Sequence, residues 1–270
     1  MLKKRLIVCL LLWQGHLVKT RNFANYQIIG NPITSIEQFN TWAVDEIILL
    51  DLSTDSVYDF ARKDYRHENP DTLPGIITYL SKSCFVPLAV GGNIKSVEDI
   101  RLRLKRGADK VCINTAAVKT PQLIKEASKI FGSQCVVVSI DAKLNPSGKY
   151  EVFIEKGKVS AGLDPAEWAK QAQDLGAGEI LLNSIDRNGT MSGYDIDLIR
   201  SVADNISIPL IACGGAGDWD DFSKCIIQGN ASAAAAANIF HYREQSTRKA
   251  KKRMSEAGID VRLDSFFIMQ

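Results

Sequence analysis

Leu88-Ala-Val-Gly-Gly-Asn-Ile94, in the first half of the chain, is echoed by Leu210-Ile-Ala-Cys-Gly-Gly-Ala-Gly217 in the second. In both, a short apolar run ends on a glycine pair, the pattern of a buried strand leading into a tight loop. Two further pairs keep the same phase. Asp45-Glu-Ile-Ile-Leu-Leu-Asp51 is echoed by Gly178-Glu-Ile-Leu-Leu-Asn-Ser184, and Ile113-Asn-Thr-Ala116 by Ala237-Asn-Ile-Phe240. The partners lie roughly 120–135 residues apart, about half of the chain, so one repeated half supplies four strands and two halves close eight.

The rest of the chain fits that reading. Apolar runs at Arg5–Leu12, Glu46–Leu50, Pro87–Val90, Lys110–Ile113, Cys135–Ile140, Glu179–Leu182, Pro209–Ala212 and Ser232–Ala236 are short and uniformly apolar, as strands buried on both faces are. Amphipathic stretches such as Val97–Arg106, Pro121–Phe131, Pro165–Leu175 and Ile196–Ala203 separate them. Alternating strands and helices predict βαβ units. An open doubly wound sheet is the rival architecture. The internal repeat favours an α/β fold of the (β/α)8 TIM barrel type, built from two half-barrels and occupying residues 1–270 as one domain.

Composition narrows the function classes. The 270 residues are 46% hydrophobic and 24% charged, ordinary for a globular chain, and the formal net charge of +2 supplies no field to recruit nucleic acid or a membrane. The basic cluster Arg248, Lys249, Lys251, Lys252 and Arg253 reads as a solvated helix face. Lys3, Lys4 and Arg5 before the apolar run Leu6–Trp13 imitate a signal peptide, but the run is short and no small-residue cleavage site follows. Gln14, Gly15 and His16 end it as a turn would, so it reads as the first strand. The six cysteines form no C-x-x-C pair, and four of them sit in apolar strand-like runs, as small buried hydrophobes in a reducing cytoplasm. The three histidines are scattered without metal-ligand spacing, so neither metal nor cofactor is expected.

Candidate chemistry collects at the ends of the strands. Gly91-Gly92 and Gly214-Gly215 let backbone N–H groups approach an anion, and Asn114-Thr115 and Ala237-Asn238 can add donors, so two phosphate sites for a doubly phosphorylated small molecule are expected. Tight turning is the plainer alternative for those glycines. Asp141 ends the fifth strand run and points into the mouth as a candidate general acid or base. Asp51 and Asp186 either orient substrate hydroxyls or cap loops. At the opposite end, Arg5, Glu46, Lys110 and Glu179 each open a strand; taken singly each reads as a solvated strand-start residue, but facing inward they must pair, and together they can form a salt-bridged ring across the barrel floor.

These residues carry a resemblance. Gly107-Ala-Asp-Lys-Val-Cys-Ile-Asn-Thr-Ala-Ala117, Ser184-Ile-Asp-Arg-Asn-Gly-Thr-Met-Ser-Gly-Tyr194 and Cys213-Gly-Gly-Ala-Gly217, with Asn22-Phe23 and Phe240-His241, resemble the HisF family, the cyclase subunit of imidazole glycerol phosphate synthase, over nearly the whole length. The resemblance implies a HisH-type glutaminase partner on the barrel floor, ammonia passing a gate at Arg5, Glu46, Lys110 and Glu179, and Asp109 at the glutaminase interface. It implies a substrate contact at Lys19 and phosphate contacts at Gly92, Asn114, Thr115, Gly189, Gly215 and Ala237; Asn183, Asn188 and Asn238 replace a family threonine, aspartate and serine, and as hydrogen-bond donors they are expected to keep the substrate contact and the two anion contacts.

The family's second mouth aspartate has no counterpart here. Cys9-Leu10-Leu11-Leu12 puts Leu11 where that carboxylate belongs. Trp13, Gln14, Asn93, Asn183, Asn188 and Asn238 also depart from the family pattern, and the Asp55–Asp71 loop is longer than usual and is expected over the mouth. The kept floor and rebuilt mouth lead us to expect a paralogue that takes ammonia from a glutaminase for amidation of a sugar in surface-polysaccharide synthesis, with a separate sugar amidotransferase as a further partner. The alternatives are the histidine-pathway cyclase itself and a non-catalytic ammonia conduit that activates the glutaminase.

Overall fold

A computed structural model describes residues 3–54, 57–58, 70–242 and 244–264. Eight strands form a closed parallel barrel: β1 (Arg5–Trp13), β2 (Glu46–Asp51), β3 (Leu88–Gly91), β4 (Lys110–Ile113), β5 (Val136–Leu144), β6 (Glu179–Ser184), β7 (Leu210–Cys213) and β8 (Ala233–Ala236). Arg5 is in register with Ala233 and Ile7 with Glu46, so β1 joins β8 to β2 and leaves no edge. The helices between strands include α1 (Pro32–Thr41), α2 (Leu73–Ser83), α3 (Val97–Lys105), α4 (Thr115–Lys119), α5 (Gln122–Phe131), α6 (Pro165–Asp174), α7 (Ile196–Ala203) and α8 (Trp219–Ile227), with α9 (Ser246–Glu256) after β8. No helix among the described residues is long and apolar enough to cross a membrane.

Side-chain alternation along the strands makes two cores. Leu6, Val8, Leu10, Ile47, Leu49, Val90, Val111 and Val138 face outward onto the helices. Ile7, Cys9, Ile48, Ala89, Cys112, Val137, Leu181, Ile211, Ala233 and Ala235 fill the lumen, with Leu11, Leu50, Cys213 and Ala237 packed against them. This register, one residue out of phase with the outer set, places the charges of the strand starts and the polar groups of the strand ends on one axis.

The repeat is visible in the backbone. Ser96 and Asp99 form a capping box at α3, and Asp218 and Asp221 form one at α8. Asn114 and Ala237 precede their short helices with nearly the same φ, −112° in both. Gly92 and Gly215 share a left-handed φ of +103° and +105°, and a Cβ on either would lie 2.2 Å from a carbonyl oxygen, of Asp51 and Gly193 respectively. Gly92→Ala is therefore expected to cost about 2–4 kcal/mol through both the clash and the disfavoured φ, read as a lowered urea midpoint at unchanged m.

Several expectations are corrected. β5 does not stop near Asp141: it runs on to Leu144 and turns back in an antiparallel hairpin with Tyr150–Ile154, which pairs in turn with Val159–Ser160. β1 likewise continues through a two-residue turn into a hairpin of His16–Arg21 and Ala24–Gly30. Cys135 lies in a 3-10 turn before β5, not in the strand. The basic cluster is not uniformly solvated. Lys251 is 1% exposed, its ammonium 2.6 Å from both Asp45 Oδ1 and the Ala43 carbonyl, and Arg248 pairs with Asp264. Lys249, Lys252 and Arg253 are the exposed members. Most of the Asp55–Asp71 loop lies outside the described residues.

Candidate active site

Asp141 stands in the lumen-facing phase of β5, in register with Asn183 of β6, and is 9% exposed. Asn114 Nδ2 donates to its Oδ2 at 3.0 Å and to the Ser139 carbonyl at 3.0 Å, while Asn183 Nδ2 approaches its Oδ1 at 3.4 Å. No cation pairs with it among the described residues. Burial outweighs the two amide donors and raises the carboxyl from 3.8 to about 7. A group that titrates near neutral pH is suited to both giving and taking a proton. Leu11, across the lumen wall on β1, is apolar and packs against the lumen cluster, so β1 supplies no second carboxyl opposite Asp141.

At the floor, the four expected charges meet. Arg5 Nη1 lies 2.6 Å from Glu46 Oε2 and 3.0 Å from Glu179 Oε1; Lys110 Nζ lies 2.9 Å from Glu46 Oε1 and 3.1 Å from Glu179 Oε2. Each charge has two partners of opposite sign, the ring is neutral, and Glu46 is 1% exposed. Such closure is what a set of partly buried charges requires.

The remaining expected residues divide by what the structure gives them. Gly91, Gly92, Gly214 and Gly215 form the two loops at the mouth end, where their lack of Cβ is needed for backbone packing. Thr115 Oγ1 accepts from the Glu155 N–H at 3.0 Å. Asn188 Oδ1 accepts from Thr20 Oγ1 at 3.0 Å and the Phe23 N–H at 3.3 Å, Gly189 packs against the Thr20 carbonyl, and Asn238 Nδ2 reaches that carbonyl at 3.3 Å. In this structure these polar groups hold the hairpins over the mouth. Lys19, on the β1 hairpin, donates to the Tyr242 hydroxyl at 2.7 Å. Asn183 Oδ1 is buried without a hydrogen-bond partner, an acceptor available to a bound molecule.

Two aspartates take the loop-capping alternative. Asp51 lies in the outward phase of β2 and accepts from the Ser53 N–H and the Tyr58 hydroxyl, each at 2.9 Å, contacts that fit loop capping. Asp186 accepts from the Leu144 N–H at 2.9 Å. Asp109, exposed at the floor, accepts from the Leu88 N–H at 2.8 Å and so also fixes the start of β3. Sequence reading missed Tyr58 on Asp51, the Asn114–Asp141 contact and Lys156, whose ammonium reaches the Leu52 carbonyl at 2.6 Å.

Fold and site together define a (β/α)8 barrel of two repeated halves, with a neutral-range carboxyl in its mouth and a closed ring of charge at its floor. A sequence model of the family described as "Histidine biosynthesis protein" matches residues 5–246. The chain is 41% identical over 262 residues, 97% of its length and 100% of the relative's, to the "Imidazole glycerol phosphate synthase subunit HisF" of Alkaliphilus metalliredigens (strain QYMF). The chain belongs to the HisF family of histidine biosynthesis proteins.

Proposed function

We propose that this chain is the cyclase-type subunit of an imidazole glycerol phosphate synthase, a lyase. It takes ammonia and N′-phosphoribulosyl-formimino aminoimidazole carboxamide ribonucleotide to imidazole glycerol phosphate and aminoimidazole carboxamide ribonucleotide. The observation that carries this reading is the common lumen axis, with Asp141 at about pKa 7 above the Arg5–Glu46–Lys110–Glu179 ring. Full-length similarity to a HisF subunit favours this pathway over the sugar amidation expected from Leu11.

The floor ring is the ammonia gate. A HisH-type glutaminase docks beneath it, against the surface that includes Asp109. Each ring member keeps one partner when the other contact opens, so a small neutral molecule passes without leaving a bare charge. The glycine loops, with Thr115, Ala237 and Asn238, hold the two phosphates once the hairpin contacts are exchanged for substrate. Asn183 orients the substrate through its unpartnered Oδ1. Asp141 moves the protons of ring closure, and Leu11 leaves the second transfer to water or to the substrate itself.

A second reading rests on Leu11 alone: the subunit supplies ammonia to a separate sugar amidotransferase and turns over little or none of the histidine-pathway substrate. Growth distinguishes the two. A histidine auxotroph lacking its own cyclase subunit, given this gene and its glutaminase, is expected to grow; failure to grow with the protein expressed and folded supports the second reading. Leu11→Asp is expected to raise ammonium-dependent turnover at least tenfold, by restoring a second acid–base group opposite Asp141. No gain in a rate assay would locate the limit in the rebuilt loops.

A further inference from the structure

We propose that Lys156, at the tip of the β5 hairpin, is the cation that clamps the first phosphate of the substrate, with the hairpin as the strap that delivers it. The inference rests on the reading of the Gly91-Gly92 loop as a phosphate site and adds a residue to it.

The tip residues Glu155, Lys156 and Gly157 all have left-handed φ, at +53°, +62° and +75°. Two of the three carry side chains, so this conformation is strained and persists through its contacts. Those contacts span the mouth. The Glu155 N–H donates to Thr115 Oγ1 after β4, and its carboxylate pairs with Lys119 of α4. Lys156 Nζ reaches the Leu52 carbonyl after β2. The tip therefore bridges the ends of β2 and β4, over Gly91-Gly92 at the end of β3 between them. A Cβ at Gly157 would lie 2.9 Å from Phe23 of the β1 hairpin and 3.2 Å from Ile185 after β6.

The other half repeats the arrangement. The β1 hairpin ties to the loops after β6 and β8, through Asn188, Asn238 and Lys19–Tyr242. Each half-barrel thus straps the glycine loop of the other, and each strap sets a lysine on a neutral oxygen across the mouth, Lys156 on the Leu52 carbonyl and Lys19 on the Tyr242 hydroxyl.

Lys156 is half-buried, and no carboxylate among the described residues lies within ion-pair distance of it. Among the described residues, Lys119 pairs with Glu155, and Arg103 donates to the Gly92 and Asp99 carbonyls on the helix side. An ammonium held by one carbonyl gains a stronger, charge-assisted bond when a phosphate oxygen replaces that carbonyl. No covalent step is involved.

The test follows the amide signals of Gly92 and Gly215 by NMR as inorganic phosphate is titrated into the full chain. Lys156→Met is expected to weaken the Gly92 response about tenfold and leave Gly215 unchanged. Lys156→Arg should stay within about threefold of the wild type, which separates loss of charge from misfolding. A Gly92 response present in the wild type and equally strong in Lys156→Met overturns the clamp alone. No response at Gly92 in the wild type overturns the phosphate-site reading and the clamp with it.

Discussion

Asp141→Asn is expected to lower ammonium-dependent turnover by about 10²–10⁴-fold while leaving glutaminase docking intact, because the amide keeps the shape of the side chain and removes its titration. The same variant should be more stable than the wild type in mild alkali. The folded-state pKa of about 7 lies above the ordinary value of 3.8, so between those pH values the folded protein binds more protons than the unfolded chain. Stability then falls as pH rises through that window and stays lower above it. In the variant this slope vanishes, with an expected gain of order 1–3 kcal/mol at pH 8 and little difference near pH 4, measured by urea unfolding at both values. In the wild type, kcat/KM is expected to show an inflection near pH 7 from the same group.

Glu46→Ala carries the second large effect. Glu46 is 1% exposed and pairs with Arg5 at 2.6 Å and with Lys110 at 2.9 Å. Its removal leaves two cations sharing Glu179 and a net positive floor. Breaking a fully buried pair costs about 3–5 kcal/mol; the partial exposure of Arg5 and Lys110 reduces the expected loss to about 2–4 kcal/mol. Under the gate reading, glutamine-dependent turnover falls at least tenfold while turnover with ammonium salt stays within about threefold, since external ammonia enters from the mouth. Equal rates from both sources, unchanged by the substitution, would remove the gate.

What the sequence made legible follows from periodicity and repetition. Glycine pairs recur at repeat-related positions and charged residues open four of the strands, so the barrel, the floor ring and the inward direction of Asp141 could be read from the sequence. The hairpins could not. Their strands alternate weakly, as Ala24–Gly30 shows with its mostly exposed residues, and nothing local marks β5 as continuing past Asp141. Partner choice was also hidden. Asn114 matches a family phosphate position and Asn188 stands in place of a family aspartate beside the other, yet in this structure their amides hold Asp141 and the β1 hairpin, contacts between residues far apart in the chain. Lys251 was misjudged because its only signal was membership of a basic run, whereas its burial depends on Asp45 of the distant β2 approach.

Leu11 remains the residue on which the functional account turns. With Leu11 opposite Asp141, β1 offers no second carboxyl for the cyclisation, so water or the substrate itself must serve the other transfer. The most direct measurement is product formation by the purified chain from the histidine-pathway substrate and ammonium salt, without glutaminase. The account predicts turnover in the wild type that is lost in Asp141→Asn; a folded wild-type chain with no turnover, or an Asp141→Asn variant as active as the wild type, would contradict it.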